Sequence, residues 1–142
     1  MTDHEAIAAL IARYCHIVDR EPAERAADLF WDDAELEFGG THNGRAAIVA
    51  AYENWIAEMR APVEELRHLI YAPAIEIDGD RATALTYFDA DAIAPKSGRL
   101  VELRGIYRDV LERRGGEWRF ARREIAGMTP KPRRAPKEAK QQ

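Results

Sequence analysis

The chain has 142 residues, 46% of them apolar and 32% charged, which fits one domain with its own core and excludes a chain too polar to fold. Its formal net charge of −4 is unevenly spread: Lys131, Arg133, Arg134, Lys137 and Lys140 against Glu138 make the last twelve residues +4, so residues 1–130 carry −8. An acidic body lacks the basic patch that nucleic acid or an anionic membrane rewards, and no apolar run nears the ~20 residues of a membrane span.

Cys15, the single cysteine, forms no internal disulfide and has no CxxC partner for zinc or redox chemistry. With no basic-then-apolar leader at the start, the expectation is a soluble, cytoplasmic protein that binds neither nucleic acid nor membrane.

Ile7, Leu10, Ile11, Tyr14, Ile17 and Val18 recur at helical spacing behind a Thr2–Glu5 capping box, predicting a first helix over about residues 3–19. Pro22 opens a short second helix with Ala26, Ala27, Phe30 and Trp31 as its stripe, stopped at Asp32-Asp33. Ala34, Leu36 and Phe38 alternate with Glu35 and Glu37 as in a half-buried strand, broken by Gly39-Gly40. Ile48, Tyr52, Trp55 and Met59 mark a third helix that Pro62 closes.

Strands follow: one long run over 65–77, an Asp78-Gly79 hairpin into 81–93, a turn over Pro95–Gly98, a strand over 99–113, a Gly115-Gly116 turn and a last strand over 117–126. Helices followed by an antiparallel meander predict an α+β fold with helices over one sheet face, in a domain spanning 1–130. Residues 131–142, with Pro132 and Pro136 among basic residues, form a tail expected to be disordered, with a basic docking tag as the alternative.

Leu66, His68, Ile70 and Ala72 share one strand phase, which sets His68 on the apolar side, where an imidazole can take and return a proton or serve as a satisfied core residue. Asp19, ending the first helix in near-register with Tyr14 and Val18, either orients that imidazole or caps the second helix. Tyr14 and Tyr107 are inward phenols, either donors to an oxygen gaining charge or core aromatics. Phe38, Tyr52, Trp55, Ile70, Phe88 and Leu103 complete a ligand-binding wall.

Ala82, Ala84, Thr86, Phe88, Ala90 and Ala92 occupy the inward phase of their strand, so Asp89 and Asp91 face outward. Arg122 and Arg123 with Glu124 are expected to form a solvated or interface ion network. His4, His16 and His42 lack ligand-like spacing, and no GxGxxG, P-loop or GxSxG pattern occurs, so neither metal nor nucleotide cofactor is expected. Leu85, Tyr87, Leu100, Ile106 and Val110 on the outer sheet face predict a homodimer or homotrimer.

Tyr14–Asp19, Leu29-Phe30, Asp33-Ala34, Asn43-Gly44-Arg45, Arg67-His68, Ile77–Asp80, Gly105–Tyr107 with Asp109, and Gly116–Phe120 with Arg123 occur in an order that resembles the SnoaL-like family. That family sits with nuclear transport factor two, ketosteroid isomerase and scytalone dehydratase. The resemblance covers about residues 3–127. It implies a cone-shaped, curved mixed sheet wrapped on three N-terminal helices, a cystatin-like α+β roll with a cavity at its wide end.

It also implies an Asp19–His68 dyad like that of scytalone dehydratase and hexachlorocyclohexane dehydrochlorinase. Scytalone dehydratase has a second histidine where this chain has Ala92, and a pocket tyrosine where it has Phe38. The ketosteroid isomerase base also falls at Phe38, while Tyr14 matches its oxyanion tyrosine and Tyr107 lies near its second oxyanion donor. The expected activity is a cofactor-independent lyase or isomerase acting on a small apolar, possibly cyclic compound. The alternative is a non-catalytic binding or assembly domain, like the small subunit of ring-hydroxylating dioxygenases.

Overall fold

The computed structural model describes residues 1–128, so the predicted tail lies outside the described residues. Helix α1 (Asp3–Arg20) starts at Thr2, whose hydroxyl accepts from the Glu5 backbone N–H while the Glu5 side chain accepts from the Thr2 N–H. It buries Ile7, Leu10, Ile11, Tyr14, Ile17 and Val18, as the spacing predicts. Helix α2 (Ala23–Ala27) follows Pro22, and α3 (Arg45–Trp55) continues into a π-helical turn at Ile56–Arg60.

Seven strands form one mixed, curved and unclosed sheet: β1 (Phe30–Glu37), β2 (Thr41–Asn43), β3 (Glu64–Ile70), β4 (Ala74–Asp78), β5 (Arg81–Ile93), β6 (Leu100–Arg114) and β7 (Glu117–Gly127). Their order is β2-β1-β7-β6-β5-β3, with β4 also pairing with β5. The inward phase of β5 is realised: Ala82, Ala84, Thr86, Phe88, Ala90 and Ala92 are buried. Asp89 and Asp91 point outward, to Tyr71 and Arg67 respectively.

The α+β architecture agrees with the sequence pattern, but four details differ. Residues 65–77 are two strands, because the strand breaks after Ile70 and Pro73 has no N–H to give the ladder, although the Tyr71 N–H still reaches the Tyr87 oxygen. The segment Phe30–Trp31 belongs to β1, since the Phe30 ring packs into the core as part of the sheet rather than as a helix stripe. Strand β1 runs parallel to β7, which makes the sheet mixed as the family resemblance implies, and the short β2 adds a strand that the sequence pattern does not mark. On the outer face Leu85, Tyr87 and Leu100 are exposed, but Ile106 is buried and Val110 half-buried, so the apolar patch is smaller than expected.

Gly105 shows how tightly the inner face is built. A Cβ there would stand 2.3 Å from the Phe88 ring and 2.8 Å from the Ala126 carbonyl oxygen, so only glycine leaves the ring its seat. Phe88 then stacks on Tyr107 at 4.2 Å between centroids and 10° between planes. Among the described residues, no helix is long and apolar enough to cross a membrane.

Candidate active site

Strand β3 delivers His68 to the interior through a bulge. Three steps from Glu64 to Arg67 oppose two steps from Ile93 to Asp91, and the extra residue turns His68, opposite Ala90, inward. Glu65 takes the left-handed backbone (φ 54°) that this geometry requires. At the end of α1 the Asp19 carboxylate meets the histidine twice. Oδ1 lies 2.6 Å from the ring Nδ1, and Oδ2 accepts the His68 backbone N–H at 3.1 Å.

A carboxylate only accepts, so Nδ1 carries a proton, and in the neutral imidazole Nε2 then keeps its lone pair. Both side chains are more than nine-tenths buried. His68 lies between aromatic rings, with centroids 6.0 Å to Trp55 and 5.9 Å to Phe88.

Two hollows open on this histidine. One, about 100 Å³, is lined by Trp55, Met59, Val63, Leu66, Ala90, Ala92, Val101 and Leu103 as well as His68, with Asp91 and Glu102 at its rim. The other, about 40 Å³, runs deeper, between Tyr14, Val18, Phe38, Tyr52, Trp55, His68, Phe88, Leu103, Tyr107 and Ile125. With Nδ1 engaged, Nε2 is the nitrogen a guest in either hollow would meet. Trp55 also lines a further depression of about 440 Å³, beside Phe38 and Met59.

At the inner end the Tyr14 and Tyr52 hydroxyls share a hydrogen bond of 2.6 Å. One proton joins the two oxygens, so the pair retains a second for a bound oxygen atom. Burial pushes the Tyr14 phenol up to about 12, against a smaller downward pull from the Arg123 charge, and raises Tyr52 and Tyr107 well above the ordinary range. All three are neutral donors at physiological pH.

Every predicted site residue except Asp19 and Ile70 lines one of the two hollows. Asp19 stands behind His68, where an orienting group belongs. Ile70 is a correction: it packs against the core opposite Phe88 and faces neither hollow.

The expected surface network at Arg122–Glu124 is corrected as well. Arg122 and Glu124 are partly exposed, but Arg123 is fully buried and bound to the equally buried Asp109 through Nε and Nη2, both at 2.7 Å. Its guanidinium covers the rings of Tyr107 (3.9 Å), Tyr14 (4.2 Å) and Phe120 (4.2 Å). Burial alone would lower this guanidinium, but the Asp109 charge and hydrogen bonds outweigh it and raise it, so Arg123 stays protonated. The signal available in the sequence was Asp109 itself, an acid on the inward phase of its strand that needs a buried cation.

Among the described residues no group of three or more His, Cys, Asp or Glu side chains converges as metal ligands.

The fold recurs in solved structures. An NTF2-like protein with a cystatin-like fold from Novosphingobium aromaticivorans matches with a TM-score of 0.78 at 29% identity, over 92% of this chain and 84% of that one. A candidate scytalone dehydratase from the same organism matches at 0.77 and 23% identity, over 96% and 94% of the two chains. The hexachlorocyclohexane dehydrochlorinase LinA type 2 matches at 0.72 and 20%, over 93% and 89%. These last two likenesses are of fold. No curated protein sequence matches the chain. The SnoaL-like domain model matches residues 1–124, a span that includes both members of the Asp19–His68 pair, and the chain therefore belongs to the SnoaL-like family.

Proposed function

We propose that this protein is a cofactor-independent lyase or isomerase whose base is His68. The observation that supports it most is the Asp19–His68 pair, held at 2.6 Å with Nε2 left to the hollows. His68 Nε2 removes a proton from carbon, and Asp19 steadies the imidazolium that forms. The electron pair left on carbon passes toward an adjacent carbonyl oxygen, where the Tyr14–Tyr52 pair or Tyr107 donates to the developing enolate. Return of the proton from the His68 imidazolium to another carbon completes an isomerisation, and its transfer to a departing β-hydroxyl, which leaves as water, completes an elimination.

Hollows of about 100 and 40 Å³ lined mostly by apolar side chains suit a small, largely hydrocarbon substrate with one oxygen function. Enolisation is therefore the reaction to measure. Wild-type protein in D₂O should speed deuterium uptake beside the carbonyl of small cyclic ketones and β-hydroxy ketones, followed by NMR. His68→Ala should lower that rate by ~10²-fold or more, and Asp19→Asn by somewhat less, with the melting temperature kept. An exchange rate within about threefold of wild type in His68→Ala, where a lost base removes at least ~10², would leave the non-catalytic binding domain as the better description.

A further inference from the structure

The end of α1 is closed in an unusual way. The four last carbonyls of a helix lack intrahelical partners, and no glycine follows here to fold the chain back onto them. Glu21 instead leaves in an extended conformation, and its N–H reaches only the Ile17 oxygen. The next carbonyls are taken by side chains. Arg60 Nη1 donates to both the Val18 oxygen (2.9 Å) and the Glu21 oxygen (2.8 Å). Arg20 Nη1 donates to the Asp19 oxygen (3.0 Å) and to the Leu66 oxygen on β3.

Asp19 thus lies between the two carbonyls that Arg60 holds. It also sits in the last turn of a helix, where the macrodipole disfavours a carboxylate. A cation bound to those carbonyls offsets that potential while fixing the backbone that aims the side chain. Burial lowers the Arg60 guanidinium, the Arg20 charge adds to that, and the Asp19 charge opposes it, so the two residues sense one another.

Arg60 reaches this position from the π-helical turn Ile56–Arg60, closed by the Ala61 N–H on the Ile56 oxygen at 2.8 Å. The wider π turn changes the direction in which successive side chains leave the helix, and such turns gather at functional sites. Here Met59 faces the larger hollow while Arg60 turns back to α1.

We propose that Arg60 is the positioning residue of the Asp19–His68 pair, clamping the end of α1 so that the Asp19 carboxylate meets the imidazole. It touches no substrate. The proposal rests on the reading of the pair as a working dyad, but its test needs no turnover, so the two can fail separately.

The probe is the Nδ1 proton of His68 in protein with ¹⁵N-labelled histidine. In the wild type the short contact to Asp19 should give a protected, downfield ¹H–¹⁵N signal, identified by its loss in His68→Ala. Arg60→Met should broaden that signal or speed its exchange with water by roughly tenfold or more, with circular dichroism unchanged, because charge-assisted hydrogen bonds to both carbonyls are lost. Arg60→Lys, which keeps the charge and one donor direction, should recover part of the protection, and it carries the test if the methionine variant fails to fold. A signal as sharp and as slowly exchanging in Arg60→Met as in wild type overturns the proposal. If the methionine variant is lost, a signal in Arg60→Lys indistinguishable from wild type overturns it equally.

Discussion

Two buried acid–base pairs lie near the deeper hollow and differ in what they can do: Arg123 of one covers Tyr14 and Tyr107, which line that hollow, whereas His68 of the other lines it directly. Asp109–Arg123 is fully buried and bidentate, and it is roofed by the rings of Tyr14, Tyr107 and Phe120. Its cation never gives up a proton, so it can only hold position and lend charge. Asp19–His68 is nearly as buried, yet its imidazole ring lines both hollows. A charge pair that stores structure is enclosed by aromatic faces on every open side. One that handles a proton must keep a nitrogen toward space.

The contrast breaks most sharply at Arg123. Arg123→Met leaves the Asp109 carboxylate buried without a cation and should destabilise the protein by about 3–5 kcal/mol in urea unfolding. The paired change Arg123→Met with Asp109→Leu removes both charges and should return most of that stability, because neither desolvation penalty remains. His68→Ala, by comparison, should lower stability far less while removing the proposed proton transfer. If Arg123→Met and the double variant unfold at the same midpoint, the loss is one of packing and not of an orphaned charge.

Why the Asp19–His68 pair is legible in the sequence and the Asp109–Arg123 pair is not follows from local geometry. His68 follows two-residue alternation with Leu66 and Ile70, and Asp19 ends α1 in near-register with the inward face of Tyr14 and Val18, so simple periodicity finds both. Arg123 escapes because the ladder between β6 and β7 slips: Val110 pairs with Arg122 but Leu111 pairs with Phe120, leaving Ala121 as an extra residue. That bulge inverts the phase set by Trp118 and Phe120, and the arginine that would face outward turns in. The Tyr71–Pro73 break and the parallel β1–β7 pairing are likewise products of long-range pairing, which spacing along one segment does not encode. Arg60 was invisible for a third reason, since its π turn differs from an α-helix by a single residue of winding.

Alkaline pH sharpens the comparison with a smaller effect, through the buried phenol of Tyr14. Burial holds Tyr14 neutral up to about 12, whereas its ordinary value is 10.0. Above pH 10 the unfolded chain loses a proton that the folded chain keeps, so stability falls as pH rises. The fall is about 1.4 kcal/mol for each unit between those two values for this one phenol. Below pH 10 the group contributes no slope. Urea midpoints at pH 9, 10 and 11 should therefore decline more steeply in wild type than in Tyr14→Phe. Parallel declines would mean that Tyr14 ionises in the folded state as readily as in the unfolded chain.

The smallest expected effect lies in the bulge that aims His68. Glu65 holds a left-handed backbone conformation at φ 54°, a state that strains an L-residue by ~1–2 kcal/mol but not glycine. Glycine loses ~0.5–1 kcal/mol more conformational entropy on folding, which offsets part of the relief. Glu65 is exposed, and no ion pair or side-chain hydrogen bond of its carboxylate occurs among the described residues. Glu65→Gly should thus raise stability by about 0.5 kcal/mol, read as a higher urea midpoint at unchanged slope. The His68 signal should not move, because the bulge and its register remain. A loss of more than about 1 kcal/mol would show that the bulge is held by its side chain and not by backbone geometry.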